Sequence, residues 1–472
     1  MTTPCHALNT ISSFIPLVLA HHLLWICRLL FKVLQPGLRH IPEPWLAKFT
    51  PLWRIWFVWD GSAHVGYRRL HERYGPIVRT APNVVNISDP AAINTIFGIG
   101  SRFTKSLFYT PFTVRYDGEV MDNILSTNDF DEHKRLKRSV APKYSMTSMR
   151  SLEYLVDPCT KIFIDAMMDL QGQVVDLGAW VQWCAFDVMG AERKDVRNVI
   201  AGLEMGAMYM SVVGQMPWLH NYLLGNFTVG KVLAKITGGK GDLLPVVIQM
   251  VLDSISQDDA ESAGKPARAD FLSFFLHLQE NSMEEMSHRD MVNHLMDNLI
   301  GIALRSVFYY LMKNKHAYQI LQKEIGEAHA RGKLSPYITY TESLRLDYLK
   351  SLTRLASRQA CLKEAMRMDP IISFPLERVV PSGGVALCGA QILAGTIVGI
   401  NAAVIHRDTD IFGLDANEFR PKRWLDKEDE ARIKRIDRHL MTFGIGDRTC
   451  IGKNLSNMEM GKFVPQVLRQ FD

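Results

Sequence analysis

Between Asp131 and Leu349 apolar and polar residues alternate mainly at helical spacing, and Met291 to Tyr310 is apolar on most faces. That is the pattern of a helix running through a core. A further helical stretch near the carboxyl end carries Ile451, Leu455, Met458, Phe463, Val467 and Leu468. Strand-like runs are short. Ile77-Val78-Arg79 and Val84-Val85-Asn86-Ile87, entered through Tyr74-Gly75-Pro76, predict a small hairpin. Beyond Asp369-Pro370, the β-branched runs Arg378-Val379-Val380 and Thr396-Ile397-Val398 are broken by Gly and Pro and predict further small sheets. The pattern describes a fold that is mainly α with small β-sheets, without internal repeats or low-complexity segments.

The amino-terminal pattern differs. Ile11 to Phe31 is about long enough to cross a bilayer, although His21, His22 and Arg28 interrupt it. No lysine or arginine precedes it, whereas Arg28, Lys32 and Arg39 follow. That asymmetry predicts a single-pass signal anchor over residues 1–33 with the bulk of the chain in the cytosol. A cleaved leader ending at Val18-Leu19-Ala20 is the competing reading. Pro36-Gly37 and Pro42-Glu43-Pro44 cannot continue a helix and predict a stiff, Pro-rich hinge over 34–50, followed by one large domain over 51–472.

Composition narrows the picture. A 472-residue chain that is 47% hydrophobic has ample material for a core. Its net charge of +5 comes from interspersed basic and acidic residues, which argues against a nucleic-acid partner. The cysteines at 5, 27, 159, 184, 361, 388 and 450 lack paired spacing, so neither a disulfide framework nor a zinc site is expected.

The most informative run is Phe443-Gly444-Ile445-Gly446-Asp447-Arg448-Thr449-Cys450-Ile451-Gly452. Gly444 and Gly446 allow a tight turn beside a bulky flat ring. Cys450 falls where a helix starts, which favours a thiolate, and Arg448 suits a carboxylate. The bland alternative is a structural cysteine in a turn. The complete spacing Phe-x-x-Gly-x-Arg-x-Cys-x-Gly resembles the haem-binding loop of cytochromes P450. The resemblance implies that Cys450 is the axial ligand of haem b (iron protoporphyrin IX), with Phe443, Gly444 and Gly446 shaping the cofactor site.

Other segments extend the resemblance. Glu364 and Arg367 lie three apart in Lys363-Glu364-Ala365-Met366-Arg367 and share a helix face. Alone they would be an ordinary surface ion pair. With Arg423 in Phe419-Arg420-Pro421-Lys422-Arg423-Trp424 they resemble the family's buried Glu-x-x-Arg and meander triad, a structural role. Arg378 aligns with an arginine that P450s direct to a haem propionate. His133 and Lys137 stand where the family carries Trp-x-x-x-Arg; a solvated basic face is the alternative for that run. Leu38 to Pro42, Arg69 to Pro76 and Ile405 to Asp410 look like fungal microsomal P450s of the pisatin-demethylase-like group. That group implies O₂-dependent oxidation of a lipophilic small molecule in secondary metabolism. It also implies electrons from NADPH through a reductase, and an endoplasmic-reticulum membrane location. Arg432, Lys434, Arg435 and Arg438 precede the cysteine loop and suit an acidic electron donor, while a merely soluble face explains them equally well.

The chain also departs from the family. The distal acid–alcohol motif is missing between Ile300 and Gly301, leaving Asp297 and Ser306 as the nearest candidates for proton relay. Lys350 to Arg358 looks inserted, Ala191-Glu192-Arg193-Lys194 replaces a usual continuation, and relatives run on beyond Gln470-Phe471-Asp472 into β-hairpins. No catalytic residue is therefore assigned. The leading expectation is a haem-thiolate monooxygenase. The alternatives are a non-catalytic or impaired haem protein and a P450-fold isomerase or dehydratase.

Overall fold

The computed structural model describes residues 36–116, 119–190, 199–237, 301–346, 360–425 and 429–471. The expected anchor, Asp297, Ala191–Lys194 and Lys350–Arg358 lie outside the described residues. Helices dominate, and the strands gather mainly into one sheet.

The chain enters across that sheet. Leu38 and Ile41 are buried in the core beneath it. The Arg79 N–H donates to Pro42 O (2.9 Å), and the Arg79 guanidinium, fully buried, pairs with Glu43 at 3.4 Å. The Pro-rich segment from residue 36 onward is thus docked on the sheet. Helices α1 (Leu52–Trp59) and α2 (Ala63–Tyr74) lead into β1 (Ile77–Ala81) and β2 (Val84–Ile87), the expected hairpin, with a bulge between Arg79 and Ala81.

After α3 (Ala92–Phe97), the two-residue β3 (Thr104–Lys105) joins the same sheet from its far side. A separate two-stranded ribbon, β4 (Val114–Tyr116) and β5 (Glu119–Met121), follows. The helical block then runs through α4 (Phe130–Val140), α5 (Met146–Ser151), α6 (Val156–Asp169), α7 (Leu177–Gly190), α8 (Val199–Val213) and α9 (Phe227–Thr237). It continues with α10 (Gly301–Lys313), α11 (Lys315–Ala330) and α12 (Ala360–Met368).

The β-rich segment supplies β6 (Leu376–Val379), the hairpin β7 (Val385–Leu387) and β8 (Ala390–Ile392), and β9 (Ile397–Ile400). The expected runs at 378–380 and 396–398 become β6 and β9, but they do not form a sheet of their own. They complete a five-stranded sheet in the order β1-β2-β9-β6-β3, with β9 parallel to β2 and antiparallel to β6. The cause is burial. Val85, Ile87, Val398 and Ile400 are fully enclosed, so strands distant in sequence share one apolar layer with Ile93, Ile96 and Ile405. Helices α13 (Glu430–Arg438) and α14 (Lys453–Gln470) finish the described chain.

The larger core lies among α6, α7, α10, α12 and α14. Helix α14 passes through it, enclosed from Leu455 to Leu468. Phe463 meets Phe163 edge-on at 4.9 Å and Phe308 at 5.9 Å. Within the expected core helix Met291–Tyr310, the described part, α10, buries Ala303, Leu304, Val307 and Phe308, while Arg305 and Tyr309 face outward.

One residue of α14 is out of character. Glu459 is fully enclosed, and neither carboxylate oxygen has a hydrogen-bond partner among the described residues. Burial pushes its pKa up to about 8. The folded state therefore holds a proton that the unfolded chain releases near the ordinary carboxyl range. Stability falls as pH rises from that range to about 8, then levels off. Glu459→Gln, neutral at every pH, should flatten the decline by up to about 1.4 kcal/mol per pH unit. Urea midpoints measured between pH 5 and 8 for both proteins check this.

Candidate functional site

The run from Phe443 to Gly452 forms a closed loop before α14. Gly444 (φ +69°) and Gly446 (φ +67°) adopt the left-handed backbone that a side chain would strain. At Gly446 space is also decisive, since a Cβ there would lie 1.9 Å from Phe97 O at the end of α3. Gly100 N–H donates to Asp447 Oδ2 (2.9 Å), a second tie between the α3 end and the loop. The Cys450 N–H donates to Phe443 O (2.8 Å) and closes the turn. Cys450 itself is exposed, three residues before α14 begins at Lys453. Gly452 caps that helix, and a Cβ on it would approach the Cys450 sulfur to 3.9 Å.

Helix α4 brings His133 and Lys137, one turn apart, to this loop. Asp129 caps the helix by accepting from Glu132 N. Lys137 Nζ donates to Asp447 O (2.7 Å) and Thr449 O (3.3 Å). His133 is buried, while Lys134, Arg135 and Arg138 on the same helix are exposed. The run is therefore split: one face is solvated and the other holds the loop. Arg448 reaches back to the start of α4, donating to Thr127 O (3.1 Å) and Asp129 O (3.4 Å).

The sheet supplies further cations. Arg378 on β6 donates to Tyr109 Oη (3.0 Å) and lies over the Phe97 ring at 5.0 Å. Its register partner on β3 is Lys105. Lys105 Nζ donates to Ile124 O (3.0 Å) and Leu125 O (2.6 Å) and sits 5.1 Å from the Tyr109 ring centroid. Like charges directly opposite each other across strands destabilise a sheet.

These groups lie close enough to act on one another electrostatically. His133 is pushed down to about 3, first by burial and then by the positive charges of Arg448, Lys105 and Lys137. It is neutral at physiological pH. Arg448 is lowered to about 10, by burial first and Arg378 next. Burial lowers Lys137 as well, while Asp447 and Cys450 pull it back up. The nearby carboxylates are committed elsewhere, Asp447 to Gly100 and Asp129 to the α4 cap. A cluster of mutually repelling cations beside a thiol fits a flat group with two carboxylates and a metal that takes sulfur. Haem has that chemistry.

Behind the loop stands a second, wholly buried constellation. Glu364 on α12 accepts from Arg367 Nε (2.9 Å) and Nη2 (2.9 Å), from Arg423 Nε (3.0 Å), from Trp424 Nε1 (2.8 Å) and from Arg420 N (2.8 Å). Burial alone would raise its pKa, but Arg367 and Arg423 hold it below the usual carboxylate range. Arg367 also binds Ala416 O (2.7 Å) and Glu418 O (3.0 Å), and Arg423 binds Asp415 O (2.8 Å).

The sequence profile of the Cytochrome P450 family matches residues 42–472. The chain belongs to the cytochrome P450 family. It is with that a member of a family of haem-iron oxidoreductases. Among its relatives, Cytochrome P450 monooxygenase cicH of Emericella nidulans is 33% identical over 474 residues, spanning 95% of this chain and 91% of that protein. Cytochrome P450 monooxygenase gsfF of Penicillium aethiopicum is 33% identical over 464 residues, covering 93% and 89%. Cytochrome P450 monooxygenase mpaDE of Penicillium roqueforti is 34% identical over 462 residues, covering 92% of this chain but only 52% of that protein. The chain thus spans about half the length of some relatives and most of others.

Two residues around this loop were given no role by the sequence, although one of them, His406, lies in the family-like run Ile405–Asp410. Lys105 comes into play only through its pairing with β6. His406 is fully buried, with Nδ1 on Arg367 O (3.0 Å) and Nε2 accepting from Met441 N (2.8 Å). It links the Glu364 constellation to the segment entering the cysteine loop, and burial holds it neutral, its pKa about 3. Ser306, a relay candidate by sequence, is buried and donates to Asp369 Oδ2 (2.6 Å) just past α12. Among the described residues no helix is long and apolar enough to cross a membrane; Ile11–Phe31 lies outside them.

Truncating Glu364 would leave two buried guanidinium groups without their anion. Glu364→Ala should therefore cost about 3–5 kcal/mol, measured by denaturant unfolding.

Proposed function

We propose that this P450 is a haem-thiolate monooxygenase that oxidises a lipophilic small molecule in fungal secondary metabolism. The observation carrying the reading is that Lys137 holds a loop bearing Arg448 and, just ahead of a helix, Cys450, with Arg378 near enough to depress Arg448. Cys450 would be the axial sulfur ligand of haem b. Arg448, Arg378, His133 and Lys137 would receive the propionates, His133 as a neutral N–H donor. Phe443, Gly444 and Gly446 would shape the loop against the ring, and Glu364, Arg367 and Arg423 would be structural. Bound there, thiolate-ligated haem supplies O₂ activation and C–H oxygenation.

The protein's own part is to keep the sulfur anionic and fixed. Positive charge from Lys137 and the α14 N-terminus favours the thiolate. The Cys450 N–H bond to Phe443 O and the Lys137 bonds to the Asp447 and Thr449 carbonyls hold the loop still. Electrons would come from NADPH through a reductase, and the exposed Lys434, Arg435 and Arg438 of α13 suit an acidic partner.

We place residues 51–472 as the haem domain of an endoplasmic-reticulum protein held by a single amino-terminal span with its catalytic body in the cytosol. The apolar run Ile11–Phe31 supports the span. The exposed Trp45, Trp56 and Trp59 just beyond it suit a membrane–water interface.

In the reduced carbon-monoxide complex, the wild-type protein should show the thiolate-type Soret shift and Cys450→Ser should lose it. With reductase present, NADPH consumption should yield oxygenated product. Release of peroxide alone would overturn the monooxygenase reading, and an unchanged spectrum in Cys450→Ser would overturn the ligand assignment.

A further inference from the structure

The strand that carries Arg378 also carries a buried acid that the haem reading leaves unused. Glu377, its immediate neighbour on β6, is almost fully enclosed. One carboxylate oxygen accepts from Arg54 Nη2 of α1 (2.5 Å) and the other from Ser106 Oγ (2.8 Å). Ser106 follows Lys105 directly and caps the 3₁₀ turn Leu107–Phe112, accepting from Phe108 N (3.1 Å). That turn contains Tyr109, the acceptor for Arg378. Arg54 is wholly buried, with the Tyr67 phenol of α2 beside it, and its pKa is raised despite burial because Tyr67 and Glu377 favour the charged form.

Successive strand residues face opposite sides of a sheet. Glu377 therefore works on the face away from Arg378 while sharing its backbone. Its register partner on β9 is Gly399, where a Cβ would crowd Pro375 Cβ at 2.8 Å but make only an ordinary contact with Glu377 Cγ. Strand β3 has only two paired residues, Thr104 opposite Val379 and Lys105 opposite Arg378. So short a ladder specifies its register weakly, and its one same-charge pair opposes the pairing. The Ser106–Glu377 bond adds a side-chain lock next to the ladder, and the buried Arg54 guanidinium pairs with the other carboxylate oxygen and aims it.

We propose that Glu377 is a positioning residue for the haem site. Its carboxylate, shared by Arg54 and Ser106, fixes β3 against β6 and so sets the spacing of Lys105 and Arg378, which together receive one haem carboxylate. This rests on the haem assignment above and adds both Lys105 as a ligand-binding residue and a remote residue acting through it.

The test is haem transfer from the full-length holoprotein to an excess of apomyoglobin, with thermal unfolding followed in parallel. Glu377→Gln should speed haem loss by about tenfold, the scale of one charge-assisted hydrogen bond. Ser106→Ala should act in the same direction and less, and Glu377→Asp should restore part of the effect. Lys105→Met should also speed loss, and the Glu377→Gln, Lys105→Met double variant should lose haem no faster than the worse single variant. Haem loss at the wild-type rate in Glu377→Gln and Ser106→Ala, or fully additive effects with Lys105→Met, would overturn the proposal. Should Glu377→Gln not fold, Ser106→Ala and Glu377→Asp decide the matter. A wild-type protein that takes up no haem would instead sink the underlying assignment, so the two failures are distinguishable.

Discussion

The Glu364 carboxylate is the anchor on which the cysteine-bearing end of this molecule depends. Three side chains and one backbone N–H donate to it, and both guanidinium groups go on to bind carbonyls of the 412–418 segment. Desolvating a carboxylate and two guanidinium groups is costly, and only this completeness offsets it. The gain is geometric. Helix α12, the irregular 415–424 segment and, through His406, the run entering the cysteine loop are fixed to one another. A loop without regular secondary structure thereby acquires the rigidity a metal ligand needs.

Much of this was legible in the chain. The Phe443–Gly452 spacing, the Glu364 and Arg367 pair on one helix face and Arg423 in a Pro-stiffened stretch each declare their chemistry locally. The structure puts Glu364 within bonding distance of both arginines. The hairpin at 77–87 and the strands near 378 and 397 were readable from β-branched runs bounded by turn residues. What the sequence did not reveal were relations between distant segments. Lys105 and Arg378 are 273 positions apart as numbered and become neighbours only through a two-residue ladder. No local periodicity encodes that pairing. His406 sat within the family-like run Ile405–Asp410, and its role emerges only when Arg367 O and Met441 N are found on its two nitrogens. The basic run at 132–138 was ambiguous because composition cannot tell which cations face inward; the helix face decides it, turning His133 in and Arg135 out.

Two apolar cores meet at the site. One lies under the mixed sheet and carries Arg378 and Lys105 on its strands; the other surrounds α14 and carries the cysteine loop at that helix's start. Helix α3 bridges them, with its end against Gly446 and the Phe97 ring under Arg378. The site is thus assembled at a seam, and the missing side chain of Gly446 sets how closely the halves approach.

The docking of Pro42 and Glu43 on Arg79 has a mechanical consequence. A leash attached through a loose joint lets its cargo tumble. Here the joint is clamped to β1 by a main-chain bond and a sequestered ion pair. The segment from Leu38 to Glu43 therefore moves with the β1-β2 ribbon as one piece, so a pull on one is felt directly by the other.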